Sequence, residues 1–389
     1  MKPFKALSKV IIGSALLLCT YAYAANPGYD NIAANLVNQS LAVQPGEIVV
    51  ISGGPTEIDL MGAIQVAVSK AGGQPVLSIN LPDANKRSVM ETPMEYLQQL
   101  PTANLMMTKL ADVFINVGSV QDPTLFSDVP EDRLAAIRKA GVPLTRTMNN
   151  MRYRSATLGQ TGGIPTAAYA KSVAADHQAI SDGFWKAVGT SPDVLAPKAT
   201  ALASMMKDGA KVRITSPAGT DLTLSVDQFP TRTNVGRTAD VQATTGPSNV
   251  WLPAGEAYTS TKDANGVLVI PWTSFRGNEI KNLKLTFENG EMTNLSADSN
   301  AKVLKDYFAA SSPKLKQLSL ISLGLNPNSK SPAGSHFFSW EMGGMVTLLL
   351  GNNTWAGGDN DSDAAATFHA IGTNLSIDGK AVVENGSLL

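Results

Sequence analysis

His177, His336 and His369 are all the imidazoles the chain contains, and no two stand at the spacing that sets two ring nitrogens on one helix face for a metal ion. His177 falls among polar residues of an expected surface helix and reads as exposed. His336 follows a Ser/Pro/Gly-rich loop and precedes Phe337-Phe338, a setting open to a loop ligand but better suited to packing. His369 follows Phe368 late in the chain. Asp359, Asp361 and Asp363 alternate in Gly-Gly-Asp-Asn-Asp-Ser-Asp and offer oxygens to a hard cation such as calcium. A helix-flanked calcium loop needs glycine at its sixth position and glutamate at its twelfth. Ala364 and Ala370 stand there, so a solvated acidic turn is expected.

Other chemistry has less support. There is no Gly-x-Ser-x-Gly elbow and no phosphate-binding glycine loop, and Gly53-Gly54 lacks the remaining glycines of a dinucleotide site. Lys+Arg 31 against Asp+Glu 32 gives a formal charge of -1, which argues against nucleic acid or an anionic membrane as partner.

The N-terminus reads as a cleavable secretion signal. Lys2, Lys5 and Lys9 precede the apolar run Val10 to Leu18, which is too short to span a bilayer, and Ala22-Tyr23-Ala24 offers a peptidase site before Ala25. Leu18 is too large for the residue before a lipoprotein cysteine, so Cys19 would leave with the signal. The expected location is therefore the periplasm or the exterior. The cysteine-free mature chain must be stabilised by core burial. No later apolar run approaches membrane length; Met345 to Leu350 is strand-sized.

Removing 24 of the 389 residues leaves 365, enough for two domains. Over 25–207 helix and strand signals alternate: a helix through Ala33 to Leu41, the strand Ile48 to Ile51, a helix from Glu57 to Ala71, and strands at Pro75 to Ile79 and Asp112 to Val117. A helix is expected from Pro130 to Ala140, capped by Asp128 and ended by Gly141 before Val142-Pro143-Leu144. Two more helices, Ala167 to Val188 and Lys198 to Lys207, follow. Over 208–389 strands dominate, with hairpin signals at Asn265-Gly266, Asn289-Gly290 and Asp378-Gly379 and one helix from Ala301 to Ala310. The expected fold is thus an α/β N-terminal domain followed by a β-rich α+β C-terminal domain.

Several motifs in order resemble the aminopeptidase T family of thermophilic-type dinuclear metallopeptidases. They include Val43-Gln44-Pro45-Gly46-Glu47, Ser216-Pro217-Ala218-Gly219-Thr220-Asp221, Leu252-Pro253-Ala254-Gly255-Glu256, Gly324-Leu325-Asn326-Pro327, Gly343-Gly344, Gly357-Gly358 and Ile377-Asp378-Gly379-Lys380. The resemblance implies the family's two-domain architecture, a homodimer, and two divalent ions (zinc, cobalt or manganese) held by glutamates, histidines, a tyrosine and an aspartate.

Glu256 matches the first glutamate ligand. Counting from the motifs, the second glutamate falls on Leu320, the first histidine on Thr347, the tyrosine on Thr354, and the His-x-Asp pair on Ala365 and Thr367. His369 lies four residues past the histidine position, but Ile371 stands where its acid should follow. A single carboxylate cannot organise two cations. No catalytic residue is assigned and no cofactor is expected. The reading is an exported, degenerate relative that binds a peptide or small molecule in the inter-domain cleft or acts as a scaffold. Two alternatives stay open. An active aminopeptidase would use Glu256, the Asp359–Asp363 acids and His336 or His369 in a rearranged site. A ring-opening enzyme, as in a related branch, would need mononuclear iron held by two histidines and a carboxylate.

Overall fold

The computed structural model describes residues 27–389 except 120, 121, 123, 160–162, 173–174, 241–246, 333–334 and 337–338. The signal segment, 1–24, lies outside the described residues.

The first half alternates helices and strands: α1 (Pro27–Asn35), β1 (Ile48–Gly53), α2 (Ile58–Lys70), β2 (Gln74–Ile79), α3 (Pro82–Glu91), α4 (Met94–Leu97), α5 (Thr102–Leu110), β3 (Val113–Val117), α6 (Glu131–Asn150) and β4 (Arg154–Leu158). Three helices follow: α7 (Ala167–Ser172), α8 (His177–Val188) and α9 (Pro192–Met205). The second half holds β5 (Lys211–Thr215), β6 (Asp221–Val226), β7 (Arg232–Asn234), β8 (Ser248–Leu252), β9 (Glu256–Phe275), β10 (Asn278–Glu288), β11 (Glu291–Ser296) and α10 (Ala301–Ala310). It closes with β12 (Leu318–Gly324), β13 (Val346–Gly351), β14 (Ala365–Ala370), β15 (Asn374–Ile377), β16 (Lys380–Glu384) and β17 (Ser387–Leu388).

Two sheets result, as expected for α/β followed by β-rich structure. The first is parallel, in the order β2-β1-β3-β4-β8. Leu60, Met61, Ile64 and Val68, one stripe of α2, pack on Val49, Ile51, Val113, Ile115 and Val117. The second sheet is antiparallel, running β14-β13-β12-β9-β6-β5-β15-β16-β17, with β7, β10 and β11 attached through β9. Its core includes Ile321, Leu323, Val346, Leu348 and Phe368. After β7 the chain returns to the first sheet as β8 and at once begins β9, so the two sheets are joined through Pro253-Ala254-Gly255.

Several local expectations are corrected. Helix α6 does not stop at Gly141 but runs through Pro143 to Asn150. Its second half is anchored to the antiparallel domain: Arg146 pairs with Asp361 at 2.8 Å and the Asn149 amide donates to Thr354 Oγ1. These contacts hold the part of the helix that continues past its internal proline. Asp128 does not cap the helix but pairs with Lys86 at 2.7 Å, and Pro130 takes the cap position. Asn265-Gly266 is not a hairpin turn. Strand β9 passes straight through it, and Gly266, at φ +118°, bends where an added Cβ would lie 2.2 Å from the Asp221 carbonyl oxygen of β6. The other two hairpins form, at Asn289-Gly290 and Asp378-Gly379. The expected helix over Ala167 to Val188 is two: α8 restarts at His177, with the Asp176 carboxylate accepting from the Ala179 N–H at 2.8 Å.

Candidate functional site

Alternate residues of a strand face the same way, so register decides which side chains can meet. Tyr258 pairs with Ser322, Ser322 with Thr347, and Thr347 with His369, making one row across β9, β12, β13 and β14. The next row is Ser260, Leu320, Leu349 and Thr367. Glu256 lies on the same face, two residues before Tyr258, and the opposite face is core. Glu256, Leu320, Thr347, Ala365 and Thr367 are therefore gathered on one face of the sheet, with Thr354 in the short turn Thr354–Ala356 beyond β13. What they lack is the set of donor atoms.

Aromatic rings cover this face. Trp251, Tyr258, Leu320, Trp340 and Leu349 form one buried cluster with Trp355 packed against it. The Trp355 ring lies 5.8 Å from Trp251, 5.5 Å from Tyr258 and 6.4 Å from Trp340. Leu320 contributes a methyl-tipped side chain to this wall. Glu256 is fully buried; its Oε1 accepts from the Trp251 indole N–H, while Oε2 has no partner among the described residues.

A second buried acid, Glu341, comes close enough to Glu256 to act on its charge. Burial pushes Glu341 up to about 8, and burial followed by the nearby Glu341 raises Glu256 well above the carboxylate range. The sequence reading missed Glu341. Its one signal was its place between Trp340 and Met342, just before Gly343-Gly344.

The structure brings two histidines together that were read apart. His336 and His369 lie 5.0 Å apart, ring centre to ring centre, with Trp272 4.8 Å from His336 and Trp340 5.9 Å from His369. His336 Nε2 and Thr273 Oγ1 are 3.0 Å apart; His369 Nδ1 shares a 2.9 Å hydrogen bond with Thr347 Oγ1. Burial lowers His336 to about 4 and, with the nearby His336, holds His369 well below the ordinary imidazole range, so both rings are neutral at pH 7. His177 is exposed at the start of α8.

Two of the three alternating acids are used otherwise. Asp361 pairs with Arg146 and with Lys314 at 2.5 Å, and Asp363 Oδ1 accepts from the Ser312 N–H at 2.7 Å. Among the described residues no group of three or more His, Cys, Asp or Glu side chains could hold a metal ion. Two divalent ions do not fit the face around Glu256: one of its oxygens is bound to an indole, and the neighbouring ligand positions carry alkyl groups or lone hydroxyls.

The motifs behind the family resemblance have structural work instead. Asn326 is fully buried; its amide donates to Ala187 O at 3.1 Å and Ala254 O at 2.6 Å and accepts from Thr190 Oγ1 at 3.0 Å and the Asn328 N–H at 2.9 Å. It thereby ties the end of α8 to the β8–β9 junction. A Cβ on Gly324 would lie 2.1 Å from Met342 O, and one on Gly358 2.2 Å from the Asn353 amide.

A five-stranded parallel sheet joined to a large antiparallel sheet, with Glu256 at the start of β9, defines a two-domain α/β and β-rich architecture. The sequence profile of the thermophilic metalloprotease (M29) family matches residues 26–331, and the chain belongs to that family. No curated protein matches the sequence significantly. Among solved structures, wild-type AmpT from Thermus thermophilus is similar at TM-score 0.69 and 12% identity, over 93% of this chain and 98% of that one. The 2,5-dihydroxypyridine dioxygenase from Pseudomonas putida KT2440 is similar at TM-score 0.59 and 17% identity, over 93% and 96%. At such identities both likenesses concern the fold.

Proposed function

We propose that this M29-family protein is an exported, non-catalytic relative that works by binding rather than by peptide hydrolysis. The observation that carries this reading is the face around Glu256, where Leu320 and the rings of Trp251, Trp340 and Trp355 stand in place of a donor set. The family match ends at residue 331, before the segment holding Thr347, Thr354, Ala365 and Thr367, which agrees with a divergent C-terminal end. Export rests on the leader-like N-terminus, and a homodimer on the family resemblance. No helix among the described residues is long and apolar enough to cross a membrane.

The test is elemental analysis of mature protein purified without chelator, repeated after incubation with zinc, cobalt, manganese and ferrous iron. No stoichiometric metal is expected. One or two tightly held ions per chain, with aminopeptidase activity that Glu256→Ala abolishes, would overturn the reading.

A further inference from the structure

Residues 74–110, which carry β2, α3, α4 and α5, include one buried residue, Thr108, and contribute to none of the apolar clusters among the described residues. Nine of their large apolar side chains are 40 to 58 % exposed, among them Leu77, Ile79, Leu81, Tyr96, Met106 and Leu110. The three helices all pack on α6, whose Arg133 guanidinium donates to Val89 O at 2.7 Å and to Thr92 O at the end of α3. Helices of 10, 4 and 9 residues do not order themselves in water; such helices are normally held by burying an apolar face. Here that face is left outside, and exposed apolar surface on this scale marks an interaction site.

Strand β2 gives the surface a direction. It is the outer strand of the parallel sheet and pairs only with β1 among the described strands. The N–H groups of Gln74 and Asn80 donate to Glu47 O at 2.7 Å and Gly53 O at 2.8 Å, so the even-numbered residues bond toward β1 while Pro75, Leu77 and Ile79 turn their backbone groups outward. Pro75 thus stands where no ladder N–H is needed, as a proline in an edge strand must. The free edge offers the N–H and C=O of Leu77 and Ile79 and the C=O of Pro75. Set antiparallel to its own copy about a two-fold axis at Leu77, this edge is self-complementary. The two Leu77 residues exchange both backbone bonds, and each Ile79 N–H meets the C=O of Pro75 of the partner subunit.

Charge agrees with a copy as the occupant. Within 74–110, Asp83, Glu91 and Glu95 balance Lys86, Arg87 and Lys109. A patch without net charge can be laid on itself without repulsion, whereas an anionic membrane or a strongly charged partner calls for an excess of one sign. A standard interface takes about 800 Å² and about 20 to 30 residues from each partner, which matches the length of this segment and its nine exposed side chains.

We propose that a second copy of this chain docks here, pairing β2 with β2 across a two-fold axis and burying the apolar side chains that follow in α3 to α5 at the same interface. This rests on the homodimer proposed above and gives it a surface.

The experiment is sedimentation of the mature protein over a range of concentrations, together with cross-linking. Leu77→Pro removes the outward N–H and leaves the bonds to β1 in place, and Leu110→Glu puts a charge on a side chain that is 58 % exposed, so neither disturbs a core. Each is expected to weaken the dimer about tenfold or more. Opposed Cα atoms of a hydrogen-bonded antiparallel pair lie about 5.5 Å apart, within disulfide range. Because Cys19 is the chain's only cysteine and precedes Ala25, Leu77→Cys in the mature protein is expected to give a disulfide-linked dimer under mild oxidation. Val194→Cys, exposed on α9 and outside this segment, is expected not to. A dimer unchanged by Leu77→Pro and Leu110→Glu, or Leu77→Cys linking no faster than Val194→Cys, would overturn this surface and leave the homodimer standing. A protein that stays monomeric would overturn both, as would a monomer that instead sediments with phosphatidylethanolamine and phosphatidylglycerol vesicles. The non-catalytic reading is untouched by any of these results and falls only to the metal analysis.

Discussion

Trp251, the fourth residue of β8, donates its indole N–H to Glu256, the first residue of β9, and so joins the parallel sheet to the antiparallel one. Glu256 is thus fully buried, with one carboxyl oxygen engaged by an indole beside a cluster of rings.

Substitutions at this pair should therefore act on stability. Trp251→Phe keeps a ring in the cluster but leaves both Glu256 oxygens unpaired, and is expected to cost about 2 to 4 kcal/mol. Glu256→Gln, of the same shape and neutral like the protonated acid, should cost under about 1.5 kcal/mol. Urea denaturation of both variants checks this. A Glu256→Gln change that leaves stability intact but removes metal or peptidase activity would point to a working site.

Much of this was readable from residue order and some was not. The helix Ala301–Ala310 and the turns at Asn289-Gly290 and Asp378-Gly379 follow from local signals, which tertiary contacts reinforce. Leu320 and Thr347 were placed by counting from glycine motifs, because those glycines fix backbone approaches such as that of Gly324 to Met342. Asn265-Gly266 misled because its bend is set by strand β6, distant in sequence. Glu341 was invisible for a similar reason. Its place depends on the Asn326 N–H donating to the Glu341 carbonyl at 2.8 Å, a long-range contact with no spacing rule.

The buried acids and histidines make stability depend on pH with opposite signs. Glu341, at about 8 against an ordinary 4.5, binds its proton more tightly in the folded state, so stability falls as pH rises from 4.5 to 8. His336, at about 4 against an ordinary 6.5, binds its proton less tightly when folded, so stability falls as pH drops from 6.5 to 4. Between 4.5 and 6.5 the two trends oppose each other. The urea midpoint, followed across pH, should therefore be highest in that mildly acidic window and fall on both sides. Glu341→Gln should make the alkaline side shallower, with buried Glu256 keeping a share of it, and leave the acid side in place; an unchanged alkaline slope would show that Glu341 is ionised when folded.

Asn326 makes a different kind of prediction. Its amide satisfies groups from α8, from the residues just after α8 and from the β8–β9 junction, so Asn326→Ala would orphan several buried partners at once. The expected cost is about 3 kcal/mol or more, well above that of a surface substitution. Limited proteolysis should find new cleavage near Ala187 to Thr190. Cutting confined to other loops would mean that the joint is held by other contacts.

Restoring a donor is the most direct challenge to the binding-protein reading. Leu320→Glu puts a carboxylate where the family resemblance would set a second glutamate, but it arrives among Trp251, Trp340 and Leu349, and the positions where that resemblance would set the other ligands still hold Thr347, Thr354, Ala365 and Thr367. Burying another acid there without a cation should cost about 3 kcal/mol or more, whereas Leu320→Met, which keeps the volume, should cost under about 1.5 kcal/mol. Thermal denaturation with and without zinc separates the outcomes. A stable Leu320→Glu protein whose melting temperature rises with zinc would mean that the face around Glu256 still accepts a cation. A destabilised variant indifferent to zinc would show that one carboxylate cannot undo what the tryptophan wall and the missing imidazoles impose.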